Sequence, residues 1–245
     1  MSWIAWNRKK YAQKNKVQTF SHNIMGKKIL AYHNRRDIRP LVVFYNGNEV
    51  YFLNSRSVTQ HNNKIKGEVK AKFSEKLKES FIDTSSIQVM NSKEFFKIYK
   101  NDQFNPVYQL NNKDAKNVIN ALNDSLESDH LTIQRISIND KYESVSEVLF
   151  STKIKNDLPL NKSFNENYLV QTNEAVATVL HLRALIKHLK VMDDEELTNY
   201  RNAENVDEYM YKNYNGYRSK NDYIKVLNQI SEPENKEEVK SKLSL

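Results

Sequence analysis

The 245 residues carry 38 lysines and arginines against 30 acidic residues, a formal charge of +8, with 39% hydrophobic and 28% charged side chains. That describes a globular chain long enough for a proper core, with no apolar run near the ~18 residues of a membrane span. Having no cysteine, the chain offers no disulfide, thiolate metal site or thiol nucleophile, and Arg8, Lys9 and Lys10 interrupt any secretory apolar region, so a cytoplasmic protein is expected.

The charge is unevenly placed. Residues 1–72 hold fifteen Lys/Arg against Asp37, Glu49 and Glu68, a local net of +12, whereas residues 191–245 come to −4. A cationic first third with no accompanying basic amphipathic helix points to a polyanion, nucleic acid before membrane.

In chain order, residues 1–20 mix Trp, Tyr and Phe with basic residues and read as a docking arm or a first irregular element. Ile29–Tyr32 is a short candidate strand, followed by a polar loop with Arg35, Arg36 and Arg39. Leu41–Tyr45 is a continuous apolar run suited to a buried strand, and Glu49–Leu53 is its return partner. Between them Asn46-Gly47 predicts a type I′ turn, whose central residues need positive φ. Val58–Phe73 alternates Ile65, Gly67, Val69 and Ala71 with lysines, as an exposed edge strand does.

Phe81–Met90 continues the β character, Ser92 is placed to cap a short helix carrying Phe95 and Phe96, and Pro106–Leu110 reads as extended. Asn112 is placed to cap an amphipathic helix with Ala115, Val118, Ile119, Leu122 and Leu126 at helical spacing. Further strands are predicted at Leu131–Ile138 and Val145–Phe150. A long apolar helix follows over 174–192, then shorter Tyr- and Asn-rich helices and a charged tail from Glu232. Strands followed by a closing helix predict a strongly curved β-barrel over residues 1–127, with a mainly helical accessory region over 128–245, an α+β chain overall; one composite domain is the alternative.

Arg39 and Asn54-Ser55-Arg56-Ser57 flank the 41–53 hairpin and so lie at one end of two paired strands, close to Arg35 and Arg36. Guanidinium groups bind phosphate through paired donors and a fixed hydroxyl relays a proton, so this end is a candidate phosphodiester site. A surface hairpin that happens to end in common polar residues has the same composition.

The order of these features resembles the MazF/PemK-like endoribonuclease toxins, and to a lesser degree the related ToxN toxins. The residues that carry the likeness are Gly26 before a first strand, Arg39-Pro40, Leu53-Asn54-Ser55-Arg56, Phe81-Ile82-Asp83-Thr84-Ser85-Ser86-Ile87, and a helix over Asp114–Leu126, together about residues 24–127. The resemblance implies an SH3-like barrel with edge helices and a ribonuclease needing no metal or cofactor. In it the RNA 2′-hydroxyl attacks the adjacent phosphate and leaves a 2′,3′-cyclic phosphate. It assigns phosphate stabilisation to Arg39 and a hydroxyl role to the strand end, where Asn54 stands in place of the usual threonine and Ser55 follows.

His61 is a candidate acid or base. Arg35, Arg36, Arg56, Ser57, Lys64 and Lys66 are candidate RNA contacts, and Tyr45, Tyr51 or Phe52 can stack on unpaired bases. The implied partners are single-stranded RNA, a protein or RNA antitoxin and a second copy of the chain. A non-catalytic nucleic-acid-binding or interaction protein of a mobile element or phage is the alternative that Asn54 keeps open. Two other constellations are weaker. Arg183 and His188 have the Arg-x4-His spacing similar to that of HEPN ribonucleases, but residues five apart share a helix face poorly. His181 and His188 share a face but lack a third metal ligand. Asp193–Glu196 reads as an ordinary acidic helix start, and no Gly-rich phosphate loop is present.

Overall fold

In the computed structural model, residues 22–24, 27–29, 41–73, 79–98, 110–128, 130–138, 144–151, 168–169 and 172–231 are described. They form a mixed α+β fold. Short strands β1 (His22–Ile24) and β2 (Lys27–Ile29) pair with each other. The main sheet contains β3 (Leu41–Asn46), β4 (Glu49–Ser57), β5 (Glu68–Ala71), β6 (Ser80–Asn91), β7 (Thr132–Ile138), β8 (Ser144–Ser151) and β9 (Tyr168–Leu169). Its order is β3-β4-β6-β7-β8-β9, with β5 also paired to β6. Every pairing is antiparallel except β6 with β7, which are parallel and have two helices between them in the chain.

Among the described residues this sheet is open: β3 and β9 end it and do not pair with each other. A closed SH3-like barrel is therefore not what these strands form. The physical reason lies in β7, which pairs with the stretch of β6 beyond β5, on the edge opposite β4, and extends the sheet away from β3. The division anticipated at 127/128 falls between a helix and β7, and both sheet and core run across it.

Helices cover both faces. Alternation along β3 sends Val42 and Phe44 into one core, and Leu41 and Val43 into a smaller one with Val50, Phe52, Met90 and Phe95. Phe95 comes from α1 (Ser92–Ile98). The larger core receives Val118, Ile119 and Leu122 of α2 (Asn112–Glu127) and Leu182, Leu185 and Ile186 of α3 (Asn173–Val191). Burial of each such side chain contributes roughly 1.5–3 kcal/mol. Being covered on both faces, β3 and the first half of β4 read as unbroken apolar runs rather than as an alternating pattern.

Helix starts follow capping chemistry, displaced by one residue from the sequence expectation. Asn111, not Asn112, accepts the Asp114 backbone N–H, and Thr172 accepts that of Ala175. At α1 the Asn91 side chain accepts from the Lys93 backbone N–H, while the Ser92 hydroxyl donates to the Gly47 carbonyl and ties the helix to the β3–β4 loop. The acidic cluster at 193–196 is a capping box, with Asp193 and Glu196 bonded reciprocally at the start of α4 (Asp194–Asn202). Two further helices, α5 (Val206–Asn213) and α6 (Lys220–Ser231), complete the fold. The tail from Glu232 and most of Pro106–Leu110 lie outside the described residues. The 58–73 segment is strand only over Glu68–Ala71, with Ile65 exposed in the loop before it.

The β3–β4 connection departs from the predicted type I′ turn. Asn46 pairs with Val50, and the φ of Gly47 lies outside the left-handed range. Glycine is needed there for space: a Cβ on Gly47 would stand 2.2 Å from the Tyr45 hydroxyl oxygen. That ring cannot swing aside freely, because it stacks on Tyr51 at 4.6 Å and bonds Asp207. Gly47→Ala is therefore expected to destabilise the fold by about 1–3 kcal/mol, read as a lower urea midpoint at unchanged slope. Combined with Tyr45→Phe, its cost should be less than additive; full additivity would contradict this packing.

Candidate nucleic-acid interface

The register of the sheet brings together segments that are distant in sequence. Leu41, the residue after Pro40, pairs with Asn54. On the other side of β4, Leu53 pairs with Ile87 and Ser55 with Ile82, so the single residue Asn54 faces the four residues Asp83–Ser86 of β6. This is a large β-bulge, a feature that bends a strand and re-aims its side chains. It joins three of the segments picked out from sequence: the start of β3, Asn54-Ser55 and the Asp83–Ser86 run.

Side-chain bonds hold the bulge. The Asp83 carboxylate oxygen Oδ1 accepts from the Ser85 backbone N–H at 2.9 Å and from its hydroxyl at 2.7 Å. Thr84 donates to the Gly67 carbonyl twice, from its backbone N–H and from its hydroxyl, each at 2.8 Å. Ser86 accepts from Gln88, whose amide also reaches Gln134. Thr84, Ser85, Ser86 and Gln88 are nearly fully buried, and these pairings satisfy the three hydroxyls and the Gln88 Nε2, though not its Oε1.

The loop from Ser57 to Gly67 is built by Arg56 and Glu68. Nε and Nη2 of Arg56 contact the two carboxylate oxygens of Glu68 at 2.6 Å each, and Nη2 also donates to the Asn63 carbonyl. The guanidinium lies over the Phe81 ring at 4.6 Å, and the bonds to Glu68 raise its pKa. Glu68 accepts the Ile65 backbone N–H as well, and Asn62 ties the Thr59 N–H to the Ser57 carbonyl. Arg56 is thus a clamp on the loop, through Nε and Nη2. What the clamp presents is His61, Lys64 and Lys66, all exposed, beside the exposed Ser57.

Other expected site residues separate. Arg35, Arg36 and Arg39 lie outside the described residues. Asn54 is 8% exposed and Ser55 half-buried. Tyr45, Tyr51 and Phe52 are buried and unable to stack on bases, a correction whose cause is the second layer of helices over the sheet. Arg183 is exposed and lies over the Phe150 ring, whereas His188 packs against Tyr214 and Tyr217, so helix geometry sends the Arg-x4-His pair in different directions.

Sequence reading missed a buried polar chain on the far side of the core. Asp207 accepts from Tyr45 at 3.0 Å and from Tyr217 at 2.6 Å. Since the Tyr217 proton goes to Asp207, its oxygen accepts from Nε2–H of His181 at 2.9 Å, and Nδ1 of His181 accepts from Tyr51 at 2.8 Å. Burial lowers the His181 pKa to about 3 and raises those of the three tyrosines. Beside this chain Glu49 bonds Lys220 at 2.6 Å and Arg135 at 3.3 Å, and both cations also reach Glu174. Burial tends to raise the Glu174 pKa, but Lys220 and Arg135 outweigh it and lower the value. The cleft between these groups is about 10 Å³, room for about one water molecule. Among the described residues no three His, Asp or Glu side chains are grouped to hold a metal, and both nitrogens of His181 are engaged.

No family model, curated protein or solved structure matches the chain.

The neutral, buried His181 has a signed consequence. Between pH 6.5 and about 3 the unfolded chain binds a proton there and the folded chain does not, so stability is full above pH 6.5 and falls as pH drops. Urea titrations at pH 7.5, 6.5 and 5.5 should show stability declining with acid, the His181 contribution having a limiting slope of about 1.4 kcal/mol per pH unit. His181→Leu should be less stable at pH 7.5, with a shallower pH dependence. An unchanged slope would mean that the imidazole is not held neutral.

Proposed function

We propose that the protein binds single-stranded RNA at the bulged end of its sheet and cleaves it without a metal, as the endoribonuclease toxin of a toxin–antitoxin pair. The observation that carries this reading is the convergence of Asn54-Ser55, the Asp83–Ser86 bulge and the start of β3, with Lys64 and Lys66 exposed on the clamped loop alongside. Lysines presented in this way neutralise backbone phosphates without regard to sequence. Arg39, through its expected paired donors, stabilises the phosphate under attack. The 2′-hydroxyl is the nucleophile, and the products are a 2′,3′-cyclic phosphate and a 5′-hydroxyl. The reading uses the bulge and the loop, and does not require the closed barrel that the resemblance implies. The C-terminal helices would serve an antitoxin or a second copy of the chain.

A second reading, RNA binding without cleavage, is favoured by one observation: Asn54 stands where the resemblance asks for a hydroxyl, and it is buried. One assay separates the two. Wild-type protein, Arg39→Ala and Lys64→Ala/Lys66→Ala are incubated with a long single-stranded RNA in EDTA. Cleavage with cyclic-phosphate ends that is lost in Arg39→Ala supports the enzyme. The double lysine variant should bind RNA more weakly, with a salt slope reduced by up to about two. Salt-dependent binding with no cleavage supports the second reading, and absence of both overturns the two.

A further inference from the structure

The dipeptide Asn-Gly occurs twice in the chain, at 46–47 and at 215–216. Asparagine is thermally labile, and the weak point is its own neighbour. The backbone nitrogen of the following residue is placed to close a five-membered ring on the side-chain carbonyl carbon. Glycine leaves that nitrogen least screened, because it has no side chain. Both sequences are therefore candidates for spontaneous modification, and the fold decides between them.

The two environments are opposite. Asn46 is half-buried at the end of β3 and pairs with Val50, while the Gly47 N–H donates to the Glu49 carbonyl at 3.0 Å. The Tyr45 ring crowds Gly47 as well. That nitrogen is engaged and its chain is held in register. Asn215 and Gly216 are both exposed, in the link between α5 and α6. The Tyr217 N–H donates to the Tyr214 carbonyl at 3.1 Å, so Asn215 and Gly216 are the two middle residues of a turn. Among the described residues the Gly216 N–H donates to no carbonyl. A Cβ on Gly216 would meet nothing within 4 Å, so glycine is there for its φ of +79° and not for close packing.

We infer that Asn215 is a modification site, converted without an enzyme to aspartate and isoaspartate. The Gly216 nitrogen bonds Cγ of Asn215, the bond from Cγ to the amide nitrogen breaks, and the proton of Gly216 leaves with that nitrogen as ammonia. Water then opens the ring at one of its two carbonyls. One opening gives aspartate. The other gives isoaspartate, whose main chain runs through the former side chain and is one carbon longer. Water is the only reactant consumed. Tyr217 follows Gly216 directly, and its hydroxyl stands between His181 and Asp207. A longer main chain in the turn displaces that hydroxyl, so the modification loosens the buried polar chain from its edge.

The test uses the full chain, kept folded or in urea in mildly alkaline buffer and sampled over time. Trypsin releases Asn213–Arg218, and mass spectrometry follows conversion of its amide to the acid, with the peptide that holds Asn46 as the internal control. In urea both Asn-Gly sequences should convert; in the folded chain Asn215 should convert and Asn46 should stay an amide. Asn215→Gln, which would have to close a larger ring, should lose the acidic species seen on ion exchange. Aged wild-type protein should show a lowered urea midpoint, a loss absent from Asn215→Gln aged alongside. An Asn215 that persists in the folded chain while converting in urea overturns the assignment, as does equal conversion of Asn46 and Asn215 in the folded chain. Conversion with an unchanged midpoint overturns the link to Tyr217.

Discussion

Four residues of β6 face one residue of β4, and much of the architecture follows from that mismatch. Without the extra residues β6 would keep one neighbour on each side along its whole length. With them its first half lies between β4 and β5 and its second half between β4 and β7. The side-chain parity changes as well: Ile82 and Ile87, an odd number of residues apart, both enter the same core. The bulge is therefore where the sheet changes partner, and the polar groups it cannot pair through the ladder are satisfied by Asp83, Thr84 and Gln88 instead.

The second constraint is polar and buried. Tyr45 and Tyr51 come from the first hairpin, His181 from α3, Asp207 from α5 and Tyr217 from the segment before α6, and one carboxylate orders the chain of bonds among them. Tyr200 adds a bond to the Phe44 carbonyl at 2.7 Å. Apolar packing alone tolerates small shifts of a helix over a sheet, but a directed series of hydrogen bonds in a low-dielectric interior does not. The alternating charges of Glu49, Arg135, Glu174 and Lys220 reinforce the same seam, linking β4, β7, α3 and α6.

Sequence reading was most informative where one residue's environment is set by its neighbours in the chain. The apolar runs of β3 and β4 and the Ala115–Leu122 spacing of α2 name their own elements, and helix starts were displaced by only one residue. It failed where a partner is remote. Nothing in the run from Ser80 to Asn91 marks four residues as bulged, because the count is relative to β4. The pairing of Arg56 with Glu68, twelve residues on, left no sign in the sequence. Tyr45 and Tyr51 looked able to stack on bases because the helices that cover them lie at the other end of the chain. The parallel addition of β7, which carries the sheet past residue 128, likewise left no local mark.

The Tyr45–Asp207 bond spans 162 residues. On a ribosome adding about 5–20 residues per second, the hydroxyl of Tyr45 waits roughly 10–30 s for its acceptor to be synthesised. During that interval the first hairpin has emerged with a polar group that its own half of the chain does not satisfy, and with apolar faces that α3 has yet to cover. Until then water serves the Tyr45 hydroxyl, and the desolvated bond to Asp207 forms only once the carboxy-terminal helices exist to exclude that water.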